Sequence, residues 1–248
     1  MNESYKHARL FVFLIVKFKF FVLFYQTKMT KDYQLYNISR YELNPCVIDY
    51  SKKFDAFIIG TYQLIENGSK CEDYDEQQLA TLNNRIGSLI VFSLKLEEVF
   101  SHPCSSGGGV FDLKISDYDD NSRNEMIIVA HSNGMFGIYK WAYDLNIEQI
   151  RQIITGAKML TTIDDSFVDN HLRIAIGSSC GKLLYYSIDD LIEECQQSDN
   201  SVQSIITDDS SPIWCLKMIH FKIIESKIEQ NLIFTGSEDS IWRIIACK

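Results

Sequence analysis

Gly177-Ser178-Ser179-Cys180-Gly181 matches G-x-S-x-G, the pattern in which a serine on a sharp turn acts as a nucleophile. That chemistry needs a base to take the serine proton. His131 is the best-placed histidine, because it lies in a short polar stretch between two apolar runs and an imidazole titrates near neutral pH. Glu238 is a third candidate, in the corresponding stretch nearer the C-terminus, with Asp239 beside it. A nucleophile elbow sits between a strand and a helix, yet Ser179 is followed by the strand-like LLYYS. The matching stretches AHSNG and GSEDS carry glycine or serine at the same place, which turn geometry explains alone. His131 therefore ranks first as a general base and Ser179 last as a nucleophile. Asp239 is expected to hold its turn by accepting backbone amides. None of the seven cysteines forms C-x-x-C or is spaced with histidines as a zinc site would be. The Gly107–Gly109 run precedes no helix that would bind a phosphate. No metal and no cofactor are expected.

The elements that must carry these residues repeat along the chain. Met126–Trp141 (MIIVAHSNGMFGIYKW) reads as apolar run, tight turn, apolar run, a β-hairpin signature with Asn133-Gly134 at the turn. Leu172–Ser187 and Asn231–Ile245 repeat it, and an interrupted copy runs from Phe54–Leu64 to Arg85–Leu94. The turn glycines Gly87, Gly134 and Gly181 are evenly spaced, and Ser240 follows after a longer interval. Gly134 and Gly181 are thus structural turn residues. A short apolar strand leads into each hairpin: Cys46–Tyr50, Val110–Ile115, Met159–Ile163 and Ile213–Met218. A more polar segment follows three of them, at Leu96–Phe100, Ile147–Ile154 and Val202–Ile206. Four strands per unit at a period of ~40–45 residues describe the blades of a WD40-type β-propeller. The chain is therefore expected to be all-β, with about four four-stranded antiparallel blades of a partial propeller. The aromatics Phe92, Tyr139 and Tyr186, with Ile245 in the fourth unit, fall at one repeat position and are expected to pack between adjacent blades. Polar insertions at 65–84, rich in acidic residues, and at 188–201, opening with a helical IDDLIEECQQ, are surface additions. In a propeller the hairpin turns share a rim with the loops between blades, so His131, Ser178, Ser179, Cys180, Glu238 and Asp239 are expected together there.

Composition bounds the rest. The chain has 248 residues and a net charge of −9, which argues against non-specific nucleic-acid binding. Hydrophobic residues at 46% and charged residues at 23% are values of a globular protein. The odd number of cysteines fits reduced thiols in the cytoplasm. Leu10–Tyr25 is discordant: apolar, preceded by Lys6 and Arg9, but broken by Lys17 and Lys19 and followed by no small-residue cleavage site. It is shorter than the ~20 apolar residues of a spanning helix. Residues 1–28 are expected to lie outside a fold that occupies 29–248, with a membrane anchor or a buried extra strand or helix as alternatives. Four units leave open sheet edges, so further blades are expected in the complete protein, and weak or no activity from these 248 residues.

Gly60-Thr61-Tyr62-Gln63-Leu64, set in FIIGTYQL and followed after an insertion by RIGSLIVFSL, resembles the first blade of the diphthine methyl esterase family, the WD-repeat proteins of diphthamide synthesis. GGGVFDLKIS with AHSNGMFGIYKW is similar to that family's second blade, and SPIWCLKM with FTGSEDSIWR to a later one. Two departures stand out: Thr207–Ser211 (TDDSS) offers no histidine ahead of the later segment, and Ile245-Ala246 replaces a tryptophan-aspartate pair. The resemblance implies hydrolysis of the methyl ester of diphthine on translation elongation factor 2, by a cytoplasmic monomer with that factor as partner and neither nucleic acid nor membrane. It assigns no catalytic residues. A non-catalytic WD-repeat scaffold for protein–protein interaction, or an inactive fragment of the esterase, are the alternatives.

Overall fold

The computed structural model describes residues 9–15, 20–26, 33–40, 44–65, 84–93, 98–104, 107–116, 124–142, 146–168, 171–193, 211–223 and 228–247. The fold is almost entirely β. Two strands of the apolar leader, β1 (Arg9–Ile15) and β2 (Phe20–Gln26), pair antiparallel with β3 (Tyr33–Arg40) in a three-stranded sheet of their own. β1 passes close to the first strand of the first blade. No helix among the described residues is long and apolar enough to cross a membrane.

Four antiparallel sheets follow as blades. The first contains β4 (Asn44–Ser51), β5 (Ala56–Leu64), β7 (Ser88–Ser93) and β8 (Glu98–Pro103), with the two-residue β6 (Arg85–Ile86) extending the pairing of β5. The second is β9 (Val110–Ser116), β10 (Glu125–His131), β11 (Met135–Trp141) and β12 (Ile147–Ile154). The third has β13 (Leu160–Val168), β14 (His171–Ser178) and β15 (Leu183–Ser187), then a short helix α1 (Ile188–Glu193). The fourth has β16 (Ile213–Ile223), β17 (Ile228–Ser237) and β18 (Trp242–Cys247). Successive first strands lie beside one another, β4 by β9, β9 by β13 and β13 by β16, so the blades fan about a common axis as in a partial WD40-type propeller.

Alternation explains the packing. Side chains on a strand point to opposite faces by turns, and here the facing sides of successive blades pack against each other. Leu89 and Val91 of β7 pack forward onto Val110, Leu113, Ile127 and Val129 of the second blade. Phe136 and Ile138 repeat this on the third blade, against Leu160, Ile163, Ile174 and Ile176. Leu183 and Tyr185 do so on the fourth, against Ile213, Met218 and Ile233. Each fully buried aliphatic side chain contributes roughly 1.5–3 kcal/mol of transfer free energy, so the interblade seams hold the array together. Tyr139 and Tyr186 lie within these seams, as their repeat position suggested.

The insertion at 65–84 leaves and rejoins its hairpin at one point, where the Ile65 amide donates to the Asn84 carbonyl at 2.7 Å. Its acidic residues lie outside the described residues, as does the strand expected over Val202–Ile206. The second insertion opens with α1, whose Ile188 and Leu191 are buried in the seam between the second and third blades. The remainder of the expected IDDLIEECQQ helix lies outside the described residues.

Candidate functional site on the turn-bearing rim

The three later hairpins share a turn geometry. Gly134, Gly181 and Ser240 all have positive φ, at 80°, 77° and 62°. A Cβ on Gly134 would also collide with the Ala157 carbonyl, so both conformation and space demand glycine there. In the fourth turn Asp239 accepts the Ile241 amide at 3.0 Å and the Arg243 guanidinium at 2.9 Å. These bonds hold its carboxyl below the usual range. Asn133 caps the second turn in the same way, accepting the Met135 amide at 3.2 Å.

Each turn is tied to the loop that enters its own blade. The Ser132, Ser179 and Glu238 amides donate to the carbonyls of Gly109, Met159 and Pro212, at 2.9, 2.9 and 3.1 Å. Turns and interblade loops therefore form one rim. Ser179 and Cys180 are half-buried on it, and Glu238 and Asp239 are near its surface. Ser178 lies beneath, its hydroxyl accepting from the Lys182 amide at 2.9 Å and donating to the Lys182 carbonyl at 3.0 Å. Ser179 precedes β15, so its surroundings are those of a hairpin and not of a nucleophile elbow.

His131 differs from expectation. It ends β10 and is completely buried, so it is not an exposed rim group. Gly107 lies so close that a Cβ there would overlap the imidazole ring. Nε2 of His131 sits 3.2 Å from the Tyr139 hydroxyl, and that hydroxyl also bonds the Cys104 thiol. Burial pushes the imidazole down to about 4, with a backbone contact from Gly109 opposing the shift. It is neutral at physiological pH, well away from the near-neutral titration that made it attractive as a base. Burial likewise pushes the Cys104 thiol up to about 12, which leaves it inert. The repeat explains the placement. Thr61, Ser178 and Ser237 stand at the same repeat position in the other blades, Ser178 and Ser237 at strand ends and Thr61 inside β5. Each hydroxyl bonds the backbone across the hairpin, Thr61 by accepting the Ser88 amide of the facing strand at 2.9 Å and Ser237 by donating to the Ile241 carbonyl at 3.3 Å. His131 occupies the position at which Ser178 and Ser237 close their turns, and turns its ring into the seam instead.

The Gly60–Leu64 signature also has a structural role. A Cβ on Gly60 would collide with Val110, so glycine lets the first two blades approach. The Thr61 hydroxyl accepts the Ser88 amide of the facing strand, and Tyr62 stacks on Phe111 with ring centroids 5.1 Å apart.

Pattern reading missed the charged inner ring. Each innermost strand skips one residue in its pairing, Cys46, Phe111, Thr161 or Trp214. Three residues further on stand Asp49, Lys114, Asp164 and Lys217, alternating in charge. Asp49 accepts the Ile115 amide of the next blade at 3.0 Å, and Asp164 the Met218 amide at 2.7 Å. Between the second and third blades a neighbouring carboxylate substitutes, Asp112 accepting the Ile163 amide at 2.8 Å. The ammonium groups of Lys114 and Lys217 both reach Asp164, at 3.2 and 2.8 Å. Burial alone would raise the Asp164 carboxyl. Lys217, the Met218 amide and Lys114 outweigh it and hold the group below its usual range. Asp112 has weaker support, and burial holds its carboxyl above the usual range. The sequence signal was available, since CVIDYS, VFDLKIS and TTIDDS each carry an inner-strand aspartate.

Among the described residues no group of three or more His, Cys, Asp or Glu is placed to hold a metal ion. The class defined by this geometry is an all-β, partial WD40-type propeller with a polar, turn-built rim. No known family model matches the chain. It is 23% identical over 198 residues to a diphthine methyltransferase of Schizosaccharomyces pombe, an alignment covering 78% of this chain and 49% of that protein. A solved structure from Desulfotomaculum acetoxidans, of a functionally unknown protein, superposes with a TM-score of 0.51 at 9% identity, over 92% of this chain and 62% of that one. Sqt1 of Saccharomyces cerevisiae gives a TM-score of 0.43 at 10% identity, over 93% of this chain and 79% of Sqt1. The chain thus spans about half the length of the curated relative it matches.

Proposed function

We propose that this chain belongs to the machinery that removes the methyl ester of diphthine from translation elongation factor 2 in the cytoplasm. The observation that carries this reading is its alignment with a diphthine methyltransferase over 198 residues, within which GTYQL forms the end of β5. The reaction adds water to the ester carbonyl and expels methanol, leaving a carboxylate. A side chain on a folded protein needs an open site, and the turn-bearing rim is open. Of the three candidate groups, Glu238 is the exposed carboxylate able to take a proton from an attacking water. Ser179 lacks an elbow, and His131 can act only if the Gly107–Gly109 loop moves aside.

A non-catalytic WD-repeat scaffold is the second reading, and the burial of His131 favours it. The natural protein, assayed for methanol release from methylated elongation factor 2, separates the two. The esterase reading expects release by the wild type, a drop of at least tenfold in Glu238→Gln, and little change in Ser179→Ala. Binding of the factor with no release in any form would overturn that reading and leave the scaffold.

A further inference from the structure

Each internal seam sets the forward face of one blade on the rear face of the next. The third blade shows which residues make a rear face: Ile174, Ile176, Leu184 and Tyr186 are buried against the second blade. Phe57, Ile59, Ile90 and Phe92 hold those repeat positions in the first blade. The register pairs Phe57 with Phe92 and Ile59 with Ile90, on the face opposite Ile58 and Val91. Among the described residues no blade precedes the first, yet these four side chains are at most 6% exposed. The fourth blade shows an uncovered face of the same fold. Its forward residues Trp242 and Ile244, at the positions of Leu89 and Val91, are 72% and 50% exposed.

The element beside the rear of the first blade is the leader sheet. β1 passes close to β4, and only residues 41–43 separate β3 from β4. β1 and β2 read RLFVFLI and FFVLFYQ, apolar at successive positions, so both faces of their hairpin are apolar in sequence. Strands of that composition belong between two covering layers, and the rear of the first blade supplies one of them.

We propose that the β1–β3 sheet is a cap on the rear face of the first blade, and that it keeps a second copy of this chain from docking there head to tail. The surface it excludes is the exposed Trp242–Ile244 face of the second copy's fourth blade. That face is a forward face, and forward on rear is the contact the chain already makes at its three internal seams. A head-to-tail contact leaves one free face at each end, so it closes into a ring or extends copy after copy. The cap removes one of the two faces such growth needs. This goes beyond the catalytic reading and holds equally for an esterase or a scaffold.

The test compares the full 248-residue chain with the same chain carrying Val12→Asp and Phe13→Asp. Neighbouring strand positions lie on opposite faces, so one of the two charges meets the blade whichever face β1 presents. Hydroxyl-radical footprinting reads Phe57 and Phe92, with Val91 of the internal seam as control, each against the urea-unfolded chain. Sedimentation equilibrium reads the mass. The wild type is expected at 28.7 kDa, with Phe57 and Phe92 protected at least tenfold, as Val91 is. The double variant is expected to gain mass with concentration. Adding Trp242→Asp should return it to a monomer in which Phe57 and Phe92 label at least fivefold faster than in the wild type while Val91 stays protected. Residues 29–248 should behave as the double variant does. Free labelling of Phe57 and Phe92 in the wild type overturns the cap, and so does their continued protection in the monomeric triple variant. A double variant that stays monomeric with Val91 protected, or an assembly that survives Trp242→Asp, overturns the exclusion of a second copy. Loss of Val91 protection in both leader variants overturns the proposal too, since the leader would then be part of the core and not a cap.

Discussion

Acidification tests the burial of His131 directly. In the folded chain its imidazole titrates near 4, against an ordinary value of 6.5. The folded value is depressed, so the unfolded chain binds more protons in that interval, and stability falls as pH drops from 6.5 through 4. At ~1.4 kcal/mol per pH unit, the full interval corresponds to about 3 kcal/mol, and the step from pH 7 to pH 5 to about 2 kcal/mol. The groups facing the ring do not offset this. Tyr139 and Cys104 stay neutral across the window, and His102, also depressed by burial, acts in the same direction. Asp112 and Asp165, both raised by burial, work the opposite way, gaining protons in the folded state first. These background effects cancel when His131→Thr is compared with the wild type. Threonine is the residue of the equivalent position in the first blade and has no proton to gain. Urea denaturation at pH 7, 6 and 5 should show the wild type ahead at pH 7, because the imidazole fills its cavity. The gap should narrow by about 2 kcal/mol at pH 5. A gap constant with pH to within about 0.5 kcal/mol would refute a buried, neutral His131.

Asp164→Asn should cost about 2–3 kcal/mol in urea denaturation, since Lys114 and Lys217 lose a shared carboxylate, discounted for their partial exposure. That penalty should vanish as pH falls below the ordinary aspartate range, because the Asp164 carboxyl is held low in the fold and its contribution is lost on protonation. Gly134→Ala should destabilise by at least about 2 kcal/mol, combining a positive φ with a collision on Ala157. Ser240→Gly should do the reverse at the equivalent turn, raising stability by about 0.5–1 kcal/mol through relief of a φ of 62°. Thermal melts of the pair would show the opposite signs.

The sequence alone determined the repeating unit. Apolar runs on either side of Asn133-Gly134 and Ser178–Gly181 can form only hairpins, because alternation and positive-φ turn residues act locally, within a few residues of chain. The same locality made Tyr139 and Tyr186 legible as seam residues and Gly134 and Gly181 as turn residues. Tertiary structure alone decided what those positions face. His131 looked like a rim imidazole from its neighbours, but a glycine loop far back in the chain closes over it and removes its charge. The aspartates of the inner strands find their partners one blade away, Asp49 on Ile115 and Asp164 on Met218, so no local window contains both ends of the bond. Trp242 and Leu183 read as the same repeat position, yet one is exposed and the other buried. Burial belongs to the seam between two sheets, and a single strand carries only half of it.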